Sequence, residues 1–364
     1  MVRMLLVAGA RPNFMKIASV IEEANRGGKI KPILVHTGQH YDPELSDSFF
    51  QQLGIPEPDY HLGVGSGTHG QQTARAIAGI DGILPEAKPD FIAVVGDVNS
   101  TLAGAVVAGI RRIPLVHSEA GYRTHYPNQP EEINRQVADT LSSYFFPSTE
   151  FAAENLFREG VDPDRVFMAG NINLDPMFRL MPEIESCGVV EEMGLSPGNY
   201  IFSTLHRPES VDHKEILRGI MGAFDEVSRK ISFVLPLHPR TARRMAEFGI
   251  PMPGGITMTK PLPYIQTVKL MKAAVLVITD SGGIQDETTT IGVPCLTLRE
   301  HTERPETILM GTNRLIGTDK ERIIREVQRI LGGDVPKGRV PELWDGKTGE
   351  RVVRVLEGFF TAPE

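Results

Sequence analysis

The chain has 364 residues, 41% hydrophobic and 23% charged, which suits a soluble globular protein of two domains rather than one small core. A net charge of −8 argues against a nucleic-acid binder held by a basic field and against a polybasic membrane anchor. Two distant cysteines, Cys187 and Cys295, support neither a disulfide framework nor a cysteine-based zinc site, and the short N-terminal apolar run is too small for a signal h-region, so the chain reads as cytoplasmic.

Short apolar runs alternate with amphipathic segments through the first half. Residues 3–8, 32–36, 91–96 and 115–118 read as strands, and 14–25, 43–53, 100–110 and 131–142 as the helices between them. Two further short strands are expected at 144–147 and 166–169. Around 181–199 the pattern loosens into a linker. A second series then starts, with strands at 200–205, 232–237, 256–259, 275–278 and 294–298. Helices lie between them at 213–230, 239–248, 263–273 and 284–292, and two more follow at 320–331 and 348–360. The expected division is an N-terminal domain at 1–182, a linker at 183–198, a C-terminal domain at 199–345, and a terminal helix at 346–364 that packs back on the first domain. Strand–helix alternation of this kind builds a parallel sheet covered on both faces, and ligands bind such sheets at the C-terminal strand ends.

Those strand ends carry the chemistry. Gly9-Ala10-Arg11-Pro12-Asn13 follows the first strand, with Lys16 one turn later; Arg11 and Lys16 suit an anionic group near a helix N-terminus. Asp97 follows the third main strand, either as a catalytic acid or as a helix cap, with Asn99 and Ser100 as alternative caps. His117-Ser118-Glu119 has the H-x-E spacing of zinc deaminases, but their P-C-x-x-C partner is missing, which leaves Glu119 as a plausible acid or base. Pro130-Glu131-Glu132 opens a helix on which Glu131 and Arg135 share a face, as an ordinary surface pair or as part of a site. His206 and His238 end successive strands of the second half. The run Val275–Glu287 feeds a strand into Ser281-Gly282-Gly283 at a helix start, a device that presents backbone N–H groups to phosphate, with Glu287 one turn in for sugar hydroxyls. Gly65–Gly70 matches G-x-G-x-x-G literally but lacks the strand and the distant acid of a dinucleotide fingerprint, and no ATP-binding P-loop pattern is present.

In combination these motifs are specific. G-A-R-P-N-x-x-K, T-G-Q-H, G-D-V-N-S-T, H-S-E-A-G-Y-R-T, P-E-E-I-N-R, L-H-R-P-E, H-P-R, T-D-S-G-G-I-Q-D-E and T-E-R-P-E occur in one order, and the chain resembles the non-hydrolysing UDP-N-acetylglucosamine 2-epimerases over nearly its whole length. The resemblance implies two Rossmann-like domains in a GT-B arrangement, with the active site in the interdomain cleft, and a homodimer. It implies reversible epimerisation of UDP-N-acetylglucosamine to UDP-N-acetylmannosamine by elimination of UDP and re-addition, without NAD, metal or ATP. By the same resemblance Asp97, Glu119, Glu131 and His206 take the catalytic positions. Arg11, Lys16, Arg135, His238, Tyr264, Ser281, Gly282, Gly283, Glu287 and Arg304 take substrate-binding positions. Asn13 departs from a glutamate common in bacterial members. Tyr41 stands where an arginine is common in members activated by a second substrate molecule. A hydrolysing epimerase, a GT-B glycosyltransferase and a non-catalytic UDP-sugar-binding regulator are the competing readings.

Overall fold

A computed structural model of the chain describes residues 1–9, 11–38, 54–124 and 129–361, with the backbone alone for Arg11 and Pro12. The helix expected at 43–53 and the motif residues Gln39, His40 and Tyr41 lie outside the described residues.

Two compact units emerge. The first comprises Met1–Phe178 and Glu342–Glu364, the second Arg179–Pro341. In the first, strands β1 (Val2–Ala8), β2 (Ile30–His36), β3 (Tyr60–His61), β4 (Phe91–Val95), β5 (Leu115–Ser118) and β6 (Tyr144–Phe146) pair in the order β3-β2-β1-β4-β5-β6. In the second, β7 (Tyr200–Thr204), β8 (Ser232–Pro236), β9 (Ile256–Thr259), β10 (Leu276–Thr279), β11 (Cys295–Thr297) and β12 (Asn313–Leu315) pair in the order β12-β11-β10-β7-β8-β9. Every pairing is parallel. Counted from each unit's first strand, both orders are the same 3-2-1-4-5-6, so both domains are Rossmann-like. Central strands such as Phe91–Val95 and Leu276–Thr279 are buried at every residue, as helices on both faces require.

The outer helices bury one stripe, as two of them show. Lys214–Ser228 turns Leu217, Ile220, Met221, Phe224 and Val227 inward, and packs against Lys320–Leu331, which buries Ile323, Ile324, Val327 and Ile330. Residues 183–198, expected as a linker, instead carry most of the helix Met181–Ser186 and all of Val189–Glu192, and both helices pack against Tyr264–Ala273. Ile184, Val189 and Val190 are buried there, so their apolar side chains outweigh the loose local pattern. The strand expected at 166–169 reduces to one bridge, Phe145 to Val166. The helices His69–Ala87 and Glu150–Arg158 were not apparent from the pattern. The terminal helix Thr348–Phe360 packs against Arg11–Gly27, and the Asp175 carboxylate accepts the backbone N–H groups of Thr348 and Gly349 at 3.1 and 2.7 Å. Among the described residues no helix is long and apolar enough to cross a membrane.

Candidate active site

The sheet order reverses between β1 and β4 in the first unit and between β7 and β10 in the second, and Lys16, Asp97, His206 and Ser281 lie on the segments that follow these four strands. In the first unit the loop after β5 carries Glu119, which is buried and stands at φ +64°, a conformation non-glycine residues rarely adopt. Lys16, on the helix Arg11–Gly27, forms an ion pair with one carboxylate oxygen of Glu119. The Asn173 amide donates to the other at 2.5 Å. The loop after β4 comes close: a Cβ built on Gly96 would stand 3.1 Å from both Glu119 Oε2 and Lys16 Nζ.

Asp97 does not cap the following helix. The N-cap of Asn99–Arg111 is Val98, without a side-chain cap, and Asn99 instead bonds Gln72 and His69. The Asp97 carboxylate takes an ion pair from Arg135, which also donates to Glu132 at 3.1 Å. Arg135 thus turns to Asp97 and Glu132 rather than to Glu131, which pairs with none of the described residues. Glu132 faces inward and accepts the Thr124 N–H and hydroxyl, each at 2.9 Å. Burial pushes the Glu132 carboxyl up, but the Thr124 bonds and the Arg135 guanidinium outweigh it and hold it below the ordinary value. Arg11 opens its helix, and its side chain lies outside the described residues. His117, below Glu119, has both ring nitrogens engaged, with Asp139 Oδ1 at 2.7 Å and the Gly96 carbonyl at 2.9 Å, so neither is open to a metal.

In the second unit the helix Gly282–Ile291 begins directly after β10. Its N-cap Ser281 makes no side-chain cap bond, so the hydroxyl does not occupy the first-turn N–H groups. A Cβ on Gly282 would stand 2.8 Å from Glu303 Oε1 and 3.1 Å from Arg304 Nε, which brings the loop after β11 against the same helix end. Arg304 is anchored to Asp286 of that helix, and Glu303 accepts from Arg299 at 2.9 Å. Serine, two glycines, a helix N-terminus and an arginine meet here, the kind of donor set that anion sites use.

One turn along, the Tyr264 hydroxyl donates to Glu287 Oε1 at 2.7 Å. Burial pushes the Glu287 carboxyl up to about 7, against the stabilising Tyr264 bond. Burial, with Glu287 beside it, holds the Tyr264 phenol well above its ordinary value. At the end of β7, His206 Nδ1 stands 3.1 Å from the fully buried Asp280, whose other oxygen accepts the backbone N–H groups of His206 and Arg207. The Asp280 carboxylate thus ties down the His206 backbone and stands beside its ring. His238 caps the helix Pro239–Phe248 through Nδ1, 3.2 Å from the Arg240 N–H, and its ring centre is 5.4 Å from that of His206. Burial and the neighbouring His206 lower the His238 pKa.

Four supporting residues were not read from the sequence as site residues: Glu132, Asp139, Asn173 and Asp280. Asp280 lay in the quoted T-D-S-G-G run, and its strand-end position was the available signal. Asn173 belongs to a loop with no periodic pattern, and nothing in one sequence points from it to Glu119.

Fold and strand-end chemistry together set the chain among α/β proteins built from two Rossmann-like domains. A family model described as UDP-N-acetylglucosamine 2-epimerase matches residues 22–357. The UDP-N-acetylglucosamine 2-epimerase of Methanocaldococcus jannaschii is 38% identical over 97% of this chain and 98% of its own. The UDP-2,3-diacetamido-2,3-dideoxy-D-glucuronate 2-epimerase of Pseudomonas aeruginosa is 36% identical over 91% of this chain and 92% of its own. The crystal structure of the M. jannaschii UDP-GlcNAc 2-epimerase, in complex with UDP-GlcNAc and UDP, superposes with a TM-score of 0.87 at 37% identity, covering 98% of this chain and 99% of that one. The chain belongs to the UDP-N-acetylglucosamine 2-epimerase family.

Proposed function

We propose that this protein interconverts UDP-N-acetylglucosamine and UDP-N-acetylmannosamine at C2 without hydrolysis. The observation that carries the reading is the pair of ion-paired carboxylates, Asp97 on Arg135 and Glu119 on Lys16, at adjacent strand ends of a chain of this family.

The C2 proton is not acidic, so a single abstraction and return is difficult. Elimination avoids the problem. A base takes the C2 proton, the C1–O bond to UDP breaks with its electrons leaving on the diphosphate, and a C1–C2 double bond forms. UDP then adds back at C1 while a proton arrives at C2 from the other face. Asp97, Glu119 and Glu131 supply the proton-transfer groups. The Gly282–Ile291 N-terminus, Ser281 and Arg304 stabilise the departing diphosphate, a type of donor whose removal costs about 10²–10³-fold in turnover. Glu287 with Tyr264 holds the ribose and uracil end, Arg11 and His238 complete the contacts, and His206, set by Asp280, serves the reaction. The family resemblance extends the proposal to a homodimer working in the cytoplasm, with its product passed to polysaccharide assembly.

Proton NMR of UDP-N-acetylglucosamine with the purified protein in heavy water tests this. The expected result is UDP-N-acetylmannosamine with deuterium at C2 in both epimers. Free N-acetylmannosamine and UDP in equal amounts would replace the reading with a hydrolysing one. The 36% identity to the P. aeruginosa enzyme favours a second substrate, the UDP-diacetamido-glucuronate, for the same reaction. Turnover of that sugar with an unchanged UDP-N-acetylglucosamine spectrum would select it.

A further inference from the structure

His117 is fully buried on β5, and its ring faces an acceptor on each side. The Gly96 carbonyl, 2.9 Å from Nε2, has only lone pairs to offer, so Nε2 carries a hydrogen. Asp139, 2.7 Å from Nδ1, is buried, yet His117 and Arg123 outweigh burial and hold its carboxyl below the ordinary range. It is a carboxylate, and Nδ1 carries a hydrogen too. A neutral imidazole has one N–H and would turn a bare nitrogen toward one of these oxygens. Burial works against the charge, but Asp139, the Gly96 carbonyl and Glu119 outweigh it and raise the His117 pKa. The surrounding charges agree. Asp139, Glu119 and Glu159 are the anions of the cluster, and Arg123 and Lys16 are its cations, with Arg123 2.8 Å from Asp139 and 2.5 Å from Glu159.

The contacts also show what the ring holds. Through the Gly96 carbonyl it pins the residue before Asp97, while the Gly96 N–H donates to the Ser118 carbonyl at 3.0 Å. Through Asp139 it reaches the Gly121 N–H, 3.1 Å from Asp139 Oδ2, on the far side of Glu119. Glu119 sits between these anchors at φ +64°. A left-handed L-residue is strained and persists only where its surroundings over-determine it.

We propose that His117 is a permanent imidazolium and a positioning residue, whose two N–H bonds set the loops carrying Asp97 and Glu119 for proton transfer. Its second half rests on the epimerase reading; its first does not. Ring ¹⁵N–¹H correlation spectra of the labelled wild-type protein between pH 6 and 9, assigned with His117→Gln and His117→Asn, test the charge. Two protonated nitrogens at every pH are expected, and a ring with one bare nitrogen would overturn the proposal. For the positioning role, His117→Gln is expected to lower kcat about 100-fold, within the span of general acid–base contributions, with KM and UDP affinity by calorimetry nearly unchanged. Unchanged kcat would overturn that role, as would UDP affinity lost in step with kcat. A wild-type protein inactive on UDP-N-acetylglucosamine but showing the charged ring would overturn the epimerase reading alone.

Discussion

Glu119 shows how much of the setting of a proposed reactive residue is made by its neighbours. Its carboxylate receives a cation on one oxygen and an amide on the other, and its backbone is held in a strained conformation. Glu119→Gln and Asp97→Asn are expected to reduce kcat by about 100-fold or more while UDP affinity, measured by calorimetry, stays within about twofold. Comparable loss of both would remove the two carboxylates from proton transfer. The motifs named these residues; their partners came from other segments, Asn173 and Arg135 among them, which one sequence does not connect. Glu306 tests a different property. It is fully buried, and neither carboxyl oxygen has a partner among the described residues. Burial, with Asp286 nearby, pushes it up to about 8. A carboxyl raised on folding contributes stability that is complete below the unfolded value near 4.5 and is lost as pH rises through about 8. Glu306→Gln removes the charge at similar size. Its melting temperature is therefore expected to gain on the wild type by several degrees between pH 6 and 9, followed by differential scanning fluorimetry. A constant difference would mean that Glu306 is already ionised at pH 6.

Elements were legible where their burial pattern is simple. Both sheets are centred on buried apolar strands, and these stood out. The helix His69–Ala87 did not, because Gly70, Gly79, Gly82 and Pro85 depress its helical character. A signal was present nonetheless: Thr68 and Gln71 form a reciprocal capping box at its start. The short strands Tyr60–His61 and Asn313–Leu315 are too brief to show a period, and pairing with β2 and β11 creates them. The loop after β5 depends on a single small residue. Gly121 stands at φ +82°, and a Cβ there would lie 2.1 Å from the Ala152 carbonyl oxygen. Gly121→Ala is expected to cost several kcal/mol, seen as a large fall in the urea midpoint of the first unit, since backbone cannot yield as a flexible side chain does. A shift below about 1 kcal/mol would show that the loop relaxes freely.

At the scale of the molecule, the chain leaves the first unit near Phe178 and returns to it at Glu342. The returning segment is tied by Trp344, which donates to the Ser148 carbonyl at 3.1 Å, by the Asp175 cap, and by Phe360 stacked on Phe91 with ring centres 4.4 Å apart. A chain ending at residue 341 would expose this surface and uncap the Asp175 site. It is expected to be aggregation-prone when expressed, and supplying 342–364 as a peptide is expected to restore solubility in part; a fully soluble, two-state truncated chain would show the first unit folds without its terminal helix. The sequence by itself determined the α/β class, the two similar halves and the motifs at the strand ends. Strand periodicity, helix starts and strand-end residues are local properties, written over a few positions each. Only the tertiary structure decided which partners those residues meet. Arg135 chose Asp97 and Glu132 over Glu131, Asp280 oriented His206, and His117 found two acceptors at once. Apart from the i,i+3 pair of Arg135 with Glu132, these pairings join residues 21 to 74 positions apart, and burial and charge balance select among them only once the sheet has brought those segments together.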